Sequence, residues 1–198
     1  MLLKRLFDLV ASAIGLVILL PVLLIISICI KIESTGPMFF RQERVGQRGQ
    51  TFRIHKFRTM VTDAEQRGMQ ITVGKDPRIT RVGATLRKYK LDELPQLLDV
   101  LRGKMSLVGP RPEVPRYVAV YPSDIKDKIL SVKPGITDWA SIKYKDENDV
   151  LGAADDPHIA YIEEVMPVKL QYASDYVDSR SFLGDLKIIF ATLSAIVR

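Results

Sequence analysis

The sequence has little cysteine and little histidine, and this narrows the chemistry that it can support. Its single cysteine, Cys29, excludes an intrachain disulfide. Two histidines, His55 and His158, are too few for an imidazole-rich metal site, so a bound metal would be a hard cation on oxygen ligands. The 198 residues contain no internal repeat, low-complexity tract or P-loop, and their length predicts one domain with an appendage.

Charge is missing from one long stretch, the 22 residues 9–30. As a straight helix they would extend about 33 Å, enough to cross a hydrocarbon core of about 30 Å. The run is too long for a secretory signal peptide, and no small-residue cleavage site follows it. We therefore expect this segment to insert into a membrane.

Pro21 lies near the middle of the apolar run and is expected to kink or break the helix there. Basic residues flank the run on both sides, and under the positive-inside rule both ends prefer the cytoplasmic face. These residues are Lys4 and Arg5 before the run, and Lys31, Arg41, Arg44 and Arg48 after it. A helix that enters and leaves by the same face is favoured, with a Pro-kinked spanning helix as the alternative. Asp8 is expected either to pair with Arg5 at i, i+3 or to lie among headgroups.

The basic charge is concentrated in the middle of the chain. Residues 41–111 hold 16 basic and 7 acidic side chains, whereas residues 112–198 hold 10 and 14. A balance of +9 in the middle third predicts an anionic partner there. Nucleic acid, an anionic membrane surface and a phosphorylated small molecule all remain open at this point.

Residues 38–57 predict a β-hairpin. Two aromatic and β-branched segments, MFFRQ and TFRIHKF, are separated by a turn containing Gly46 and Gly49. Its cationic side chains are interpreted as a solvated face, with lipid-headgroup contact as the next possibility. They are Arg41, Arg44, Arg48, Arg53, Lys56 and Arg58.

The stretch LDELPQLL at 91–98 is the central motif of the sequence. Leucines at 94, 97, 98 and 101 have the spacing of one buried helix face, and Gly103 is a plausible stop. Pro95 fits the first helical turn, which places Asp92 and Glu93 at the helix N-terminus. Carboxylates there either cap the helix and favour its dipole, or serve as nucleophile or metal ligand beside a phosphate site.

Further motifs follow in order. GPRP at 109–112 holds Arg111 between two prolines, which suits phosphate recognition at low entropic cost.

Residues 62–80 are expected to form a surface excursion with a turn at 76–77, and residues 146–164 to be peripheral. Trp139, Tyr144 and Lys145 are interpreted as core and surface residues, or as a cap on a ligand ring. A helical stripe near the C-terminus would pack on the core or lie on the bilayer: Leu186, Ile189, Phe190, Leu193, Ile196 and Val197.

Taken together, these motifs resemble the catalytic core of the bacterial sugar transferases, the monotopic phosphoglycosyl transferases. The resemblance runs nearly end to end, and from it we expect the minimal form of the family, which lacks the additional N-terminal membrane domain of larger members. Its motifs are KRLFD at 4–8, the apolar run with Pro21, FFRQERVG at 39–46, FRIHKFRTM at 52–60, LDELPQL at 91–97, MSLVGPRP at 105–112, KPGIT at 133–137 and DLKI at 185–188.

The resemblance implies transfer of a sugar 1-phosphate from a UDP-sugar to undecaprenyl phosphate, with release of UMP, at the start of polysaccharide, O-antigen or glycoprotein glycan assembly. It further implies Mg²⁺, a re-entrant membrane helix, the cytoplasmic face of the bacterial inner membrane, possibly a homodimer, and no nucleic-acid partner.

The resemblance also implies roles for individual residues. Asp92 would be the nucleophile and a Mg²⁺ ligand, and Glu93 would support metal or proton handling. Lys56, Arg87 and Arg111 would lie near the phosphates, and Asp185 would support the site. The chain departs from the family after KPGIT: many relatives continue GLAQ, whereas this sequence has DWAS at 138–141, and residues 142–168 lack the expected pattern. Sugar specificity is therefore left open.

From these observations we expect a mainly helical α+β protein with a re-entrant N-terminal helix, interfacial amphipathic helices and a small β-hairpin. Residues 1–33 would form the membrane helix broken at Pro21, and residues 34–198 the catalytic domain. Two alternatives stand beside this prediction. One is a non-catalytic, membrane-anchored basic module that binds anionic lipid or nucleic acid. The other is direct ternary transfer, in which Asp92 acts only through Mg²⁺.

Overall fold

The structure is a computed structural model that describes residues 2–64, 76–144 and 147–197. The fold is mainly helical with short strands, as expected. The helices are α1 (Leu2–Glu33), α2 (Arg81–Lys88), α3 (Leu97–Leu101), α4 (Pro115–Val118), α5 (Ser123–Leu130), α6 (Trp139–Lys143), α7 (Glu147–Ala153), α8 (Pro157–Ala160), α9 (Met166–Ser179) and α10 (Phe182–Val197). Short 3₁₀ helices span Gln47–Gly49 and Leu91–Gln96, and a π-helical turn spans Tyr161–Val165.

The strands pair two by two. β1 (Phe39–Phe40) pairs antiparallel with β4 (Lys56–Phe57), and β2 (Glu43–Val45) pairs antiparallel with β3 (Thr51–Arg53). β5 (Ser106–Val108) and β6 (Gly135–Thr137) form a parallel pair.

Helix α1 carries the apolar run. Among the described residues it is the one helix long and apolar enough to cross a membrane, and only 11% of its most apolar window is buried. A helix in the core of a soluble protein would be mostly buried. The surface of α1 is instead exposed and apolar, as is typical of a helix that contacts lipid. It is not interrupted at Pro21, which lies inside one 32-residue helix. The re-entrant path and the division at residue 33 stay predictions.

The N-terminal part of α1 is bonded to the rest of the fold. Lys4 donates to the Asp185 carboxylate (2.5 Å) and to the Val108 carbonyl (3.1 Å). Asp8, only 3% exposed, accepts from the Ser106 hydroxyl (2.8 Å) and the Leu107 amide (3.3 Å).

The prediction that Arg5 and Asp8 pair with each other, or that Asp8 lies among headgroups, is wrong. Arg5 instead donates to the carbonyls of Val100 (2.8 Å) and Leu101 (3.4 Å) at the C-terminus of α3. A cation there is favourable because the last carbonyls of a helix lack partners within it.

The C-terminal end of α1 contacts the same globular body. The Glu33 carboxylate accepts from the Arg81 amide (2.8 Å) and the Val82 amide (3.0 Å), at the N-terminus of α2. Arg58 donates to the carbonyls of Ser34 (2.9 Å) and Thr35 (2.7 Å) just after α1. Both ends of the apolar helix are therefore bonded to one body.

The predicted hairpin is confirmed, with each arm divided in two. The β2–β3 turn contains Arg48 and Gly49, both at positive φ (58° and 73°), as a tight turn requires. The ladder is interrupted at His55, whose amide donates to the Asp99 carboxylate (2.8 Å) instead of to the neighbouring strand. This bond joins the hairpin to α3.

The helical segment after the carboxylates is confirmed, but its buried face is not the predicted one. The 3₁₀ helix Leu91–Gln96 continues into α3, and Gly103 at φ +76° follows its end. The leucine stripe is only half-buried, and Asp99 and Val100 fill the interior instead. Leu97 lies next to Gly15 of α1, so the leucine stripe packs toward the apolar helix.

The acidic segment 146–164 is not peripheral. Leu151 and Tyr161, 1% and 3% exposed, belong to the largest hydrophobic cluster, together with residues of α4, α5 and α9. At the C-terminus, Ile188 is buried, whereas Phe190 and Leu193 of the predicted stripe are 65% and 56% exposed. Part of the apolar stripe of α10 thus faces away from the core, while Ile189 packs against the cluster around Ile188.

Some predictions fall on residues outside the described ranges: most of the excursion at 62–80, Lys145, and the side chains of Ile196 and Val197. Beyond that gap, the Arg78 amide donates to the Asp76 carboxylate (2.9 Å), which confirms a turn there.

Candidate active site

Glu93 lies at the centre of the site, with its carboxylate between two cations. Lys56 Nζ donates to Glu93 Oε1 (2.8 Å), and Arg111 forms a two-pronged contact in which Nη1 donates to Oε2 (3.1 Å) and Nη2 to Oε1. Burial alone would raise the pKa of Glu93, but the charges and hydrogen bonds of Arg111 and Lys56 hold it well below its usual value of 4.5. Glu93 is therefore ionised at neutral pH.

Asp92, the preceding residue, has a different environment. It is 8% exposed, and within the described residues its carboxylate has no hydrogen bond or ion pair. Burial, reinforced by the charge of Glu93, raises its pKa above 3.8, although Lys56 and Arg87 oppose this. An unpartnered carboxylate beside several cations can attack an electrophile or bind a metal ion.

Neither carboxylate caps the helix. The residue before the 3₁₀ helix, Lys90, has a left-handed backbone (φ 56°), and no side chain caps that terminus. The capping interpretation of the sequence is therefore wrong for Glu93, whose partners are two cations. Asp92 does lie in the first turn as predicted, where the dipole favours negative charge.

Arg111 is positioned by the segment after β5, which packs closely against β6. Gly109 donates to the Thr137 carbonyl (3.1 Å), and Gly135 donates to the Pro110 carbonyl (3.0 Å). A Cβ on Gly135 would lie only 2.1 Å from the Gly109 nitrogen, so the two backbones can approach this closely only without a side chain. This close approach fixes the backbone just before Arg111.

Acidic side chains support the same loop. Asp138 accepts from the Arg111 amide (3.2 Å). Arg44 donates to the Pro112 carbonyl (3.0 Å) and lies 3.5 Å from the Glu113 carboxylate, which also accepts from the Tyr161 hydroxyl (2.6 Å). Burial would raise the pKa of Glu113, but Arg44 and Lys169 hold it below its usual value. The loop around Arg111 is thus held by charge-assisted hydrogen bonds.

Lys56 is positioned through its neighbour. His55 Nδ1 lies 2.6 Å from Asp99 Oδ1, and Arg102 Nη1 lies 2.9 Å from His55 Nε2. Because Asp99 belongs to α3, which follows the carboxylates, the His55–Asp99 pair fixes the strand of Lys56 relative to Asp92 and Glu93. Burial lowers the pKa of Lys56 despite the nearby charge of Glu93.

Arg87 approaches the site from α2. The Nε of Arg87 donates to the Thr59 hydroxyl (2.9 Å). Burial lowers the pKa of Arg87, and the charge of Asp92 is the strongest of the charges that oppose this shift. A Cβ on Gly83 would lie 2.0 Å from the Thr59 carbonyl oxygen, so the glycine allows α2 to pack against this strand. Lys56, Arg87 and Arg111 are thus brought together around the carboxylates, and their position beside the substrate phosphates stays a prediction.

Asp185 makes its contacts elsewhere. It accepts from Lys4 and from the Tyr176 hydroxyl (2.9 Å), and Tyr176 also donates to the Val108 carbonyl (3.1 Å). It joins α1, α9 and α10 to the end of β5, one residue before Gly109. Its support of the site is therefore indirect, through the strand that leads to Arg111.

The basic residues of the hairpin do not form one solvated face. Lys56, Arg44 and Arg58 bind groups within the fold, whereas Arg41, Arg48 and Arg53 are exposed. Asp99, Glu113 and Tyr161 were not predicted from the sequence, because their neighbouring residues do not indicate a partner more than 40 positions away.

No group of three or more His, Cys, Asp or Glu side chains able to bind a metal ion occurs in the described ranges. The carboxylates available are Asp92 and its neighbour Glu93. Mg²⁺ commonly uses one or two carboxylates and completes its shell with waters and substrate phosphates. The residues present fit that mode of binding, and they do not fit an all-protein cage.

Comparison with known proteins gives a consistent result. The family model described as "Bacterial sugar transferase" matches residues 1–198. One similar protein is a UDP-N-acetylgalactosamine-undecaprenyl-phosphate N-acetylgalactosaminephosphotransferase of Aeromonas hydrophila, 38% identical over 196 residues that cover 98% of this chain and 43% of that protein. Another is a UDP-glucose:undecaprenyl-phosphate glucose-1-phosphate transferase of Escherichia coli K12, 37% identical over 97% of this chain and 39% of its own length.

The chain thus spans about two fifths of those two relatives. A third, the exopolysaccharide production protein PSS of Rhizobium leguminosarum bv. phaseoli, is 38% identical over 96% of this chain and 93% of its own length. The relatives named for a sugar differ in which sugar they name.

Proposed function

The chain belongs to the bacterial sugar transferase family, and on that premise we propose that it transfers a sugar 1-phosphate from a UDP-sugar to undecaprenyl phosphate. The observation that carries the proposal is the pair of adjacent carboxylates with opposite surroundings. Glu93 is neutralised by Lys56 and Arg111, while Asp92 beside it has no partner among the described residues. The names of the relatives support this reaction class.

In the first step, a carboxylate oxygen of Asp92 attacks the β-phosphorus of the UDP-sugar. The bond from that phosphorus to the bridging oxygen breaks, and UMP leaves with the bond's electron pair. An aspartyl sugar-phosphate remains on the protein. Repulsion between the carboxylate and the diphosphate is the main obstacle, and Lys56, Arg87 and Arg111 reduce it by their positive charge.

In the second step, an oxygen of undecaprenyl phosphate attacks the same phosphorus. The bond to Asp92 breaks, the carboxylate is restored, and undecaprenyl diphosphate sugar forms. Glu93 keeps Lys56 and Arg111 in place throughout, because its hydrogen bonds fix both cations beside the reacting phosphorus.

We propose that Mg²⁺ is held by Asp92 together with the diphosphate, and that it supplies further charge neutralisation when bound. The lipid acceptor would reach the site along α1, whose outer face is apolar. Exposed side chains on it include Val17 and Ile18, 74% and 69% exposed. The exposed apolar face of α1 supports a reaction at a membrane surface, which we propose to be the cytoplasmic face of the bacterial inner membrane.

The test is UMP release by the purified full chain in membrane mimetic, with Mg²⁺, undecaprenyl phosphate and a panel of UDP-sugars. Wild type and Asp92→Asn are compared, with Asp175→Asn as control because Asp175 is an exposed carboxylate on α9. We expect UMP from wild type and the control, and none from Asp92→Asn. Absence of UMP from every donor with folded wild-type protein would refute the proposal.

The alternative most similar to the proposed mechanism is direct ternary transfer, in which Asp92 acts only through Mg²⁺. It is distinguished by incubating wild type with a sugar-labelled donor in the absence of lipid acceptor. Label bound to the protein, and lost in Asp92→Asn, supports the covalent step. UMP formed only when the acceptor is present, with no label on the protein, would contradict it. The non-catalytic basic module predicts instead that Asp92→Asn binds anionic vesicles as well as wild type and that neither protein turns over.

A further inference from the structure

A cavity lies beside Arg111. It has a volume of about 100 Å³ between the loop that holds Arg111, α6 and α9, and it is partly open to the surface. Because it is partly open, it admits one part of a ligand, such as a single ring, and not a whole nucleoside diphosphate sugar.

Most charged groups of the cavity wall already have a partner, either within the wall or next to it. Glu147 lies 2.6 Å from Lys169, and Glu113 is bonded to Tyr161. Asp138 accepts from the amides of Arg111 and Ser141. An additional phosphate would find no surplus of positive charge here, since three carboxylates face the cavity with the cations Lys90, Arg111 and Lys169. The wall fits a neutral, polar ligand.

The hydrogen-bonding groups of the wall favour a ligand with several hydroxyls. An ionised carboxylate only accepts, with about four lone-pair sites, and Asp138 uses two of them. Ser141 and Tyr144 also line the cavity, and neither hydroxyl has a hydrogen-bond partner among the described residues. A pyranose offers several O–H donors to such a wall, whereas the uracil ring offers one N–H.

The position of the cavity agrees with that chemistry. Arg111 forms part of its wall and simultaneously binds Glu93, next to Asp92. Arg111 therefore borders both the cavity and the carboxylates, and we expect a group bonded to the phosphorus that Asp92 attacks to extend toward the cavity. In a UDP-sugar, the group on that phosphorus is the sugar.

On the basis of the proposed function, we infer that this cavity binds the sugar ring of the nucleotide sugar, and that Ser141 and Tyr144 help to select which sugar is accepted. The nucleotide then lies outside the cavity. The residues that discriminate between sugars are thus separate from those that carry out the phosphoryl transfer.

The experiment compares Ser141→Ala and Tyr144→Phe with wild type. Each variant removes one hydroxyl and keeps the rest of the side chain. Matched controls are Ser123→Ala and Tyr172→Phe, the same changes at positions that do not line the cavity. For every protein, kcat/KM for UMP release is measured with UDP-glucose, UDP-galactose, UDP-N-acetylglucosamine and UDP-N-acetylgalactosamine, and UDP alone is titrated as an inhibitor.

We expect each cavity variant to lose about three- to tenfold in kcat/KM for the donor that wild type uses best, as for one hydrogen bond. The ratios of its kcat/KM values between donors should change, and its inhibition by UDP should stay the same as in wild type. Equal loss of UDP inhibition would place the nucleotide in the cavity and overturn the inference, as would donor ratios no different from the controls. Failure of wild type with all four donors would instead refute the proposed function on which the inference rests.

Discussion

Asp92 and Glu93 are adjacent in the chain, yet their environments shift their pKa values in opposite directions. Glu93 is held ionised by Lys56 and Arg111, whereas burial raises the pKa of Asp92. Glu93 is thus a fixed counter-ion, whereas Asp92 has no partner among the described residues and is the nucleophile of the mechanism that we propose. The difference has consequences for stability and for activity that can be measured separately.

Replacing Glu93 by Gln should destabilise the fold by about 2 kcal/mol at pH 7, because two largely buried cations lose their anion. The depressed pKa of Glu93 means that its contribution is present in full above its usual value of 4.5. It is lost as the pH falls through the lower value in the folded protein. Denaturant unfolding of wild type and variant from pH 7 to pH 3 measures this.

Glu43→Gln is the control, because Glu43 is exposed. We expect it to match wild type at every pH. A Glu93→Gln deficit that stays constant down to pH 3 would show that the pKa of Glu93 is not depressed.

Replacing Asp92 by Asn should have the opposite effect on stability. Its raised pKa means that ionisation opposes folding, and this cost grows as the pH rises from 3.8 through the value in the folded protein. The variant should therefore be more stable than wild type at pH 7 and equal to it below pH 3.8, while UMP release falls by at least about a thousandfold. Loss of stability at pH 7 would indicate that Asp92 has a structural partner.

A side chain at Gly135 should disrupt its close packing against Gly109. The added Cβ of Gly135→Ala would lie 2.1 Å from the Gly109 backbone nitrogen, and we expect a loss of about 3 kcal/mol in the free energy of unfolding together with reduced UMP release. Gly15→Ala is the control, since the nearest atom to its Cβ is a leucine methyl at 3.5 Å. Similar unfolding free energies for the two variants would contradict the proposed role of this packing.

Two polar residues one turn apart on α1 should respond differently to alanine. Asp8 accepts two hydrogen bonds from β5, and Asp8→Ala should cost about 2 kcal/mol because the Leu107 amide loses its acceptor. Ser12 is fully buried, and its hydroxyl has no partner in the part of the chain that the structure describes. Ser12→Ala should therefore leave the stability unchanged or slightly higher, as thermal unfolding in one detergent would show.

Local sequence patterns predicted the elements that depend on neighbouring residues. The hairpin turn, the stop at Gly103 and the position of Asp92 in a first helical turn all follow from residue types within a few positions. The sequence motifs also identified Lys56, Arg87 and Arg111, which the fold brings together.

Contacts between distant segments could not be predicted in the same way. Asp8 and Ser106 are 98 positions apart, and the hydrophobic period of the leucines does not tell whether they face the core or another helix. The segment 142–168, whose role the sequence left open, supplies Tyr144 and Tyr161 to the cavity wall. Its acidic composition indicated a surface, but its apolar residues form part of the core.

The bonds at both ends of α1 make the apolar helix part of the folded unit. A fragment that begins after Glu33 would lose the acceptor for Ser106, the carboxylate that accepts from the first amides of α2, and the contacts that cover Phe57 and Leu86. We therefore expect that deleting the helix destabilises the rest of the fold. Purification and mutagenesis should keep the whole chain, together with an amphiphile that shields the exposed apolar face of α1.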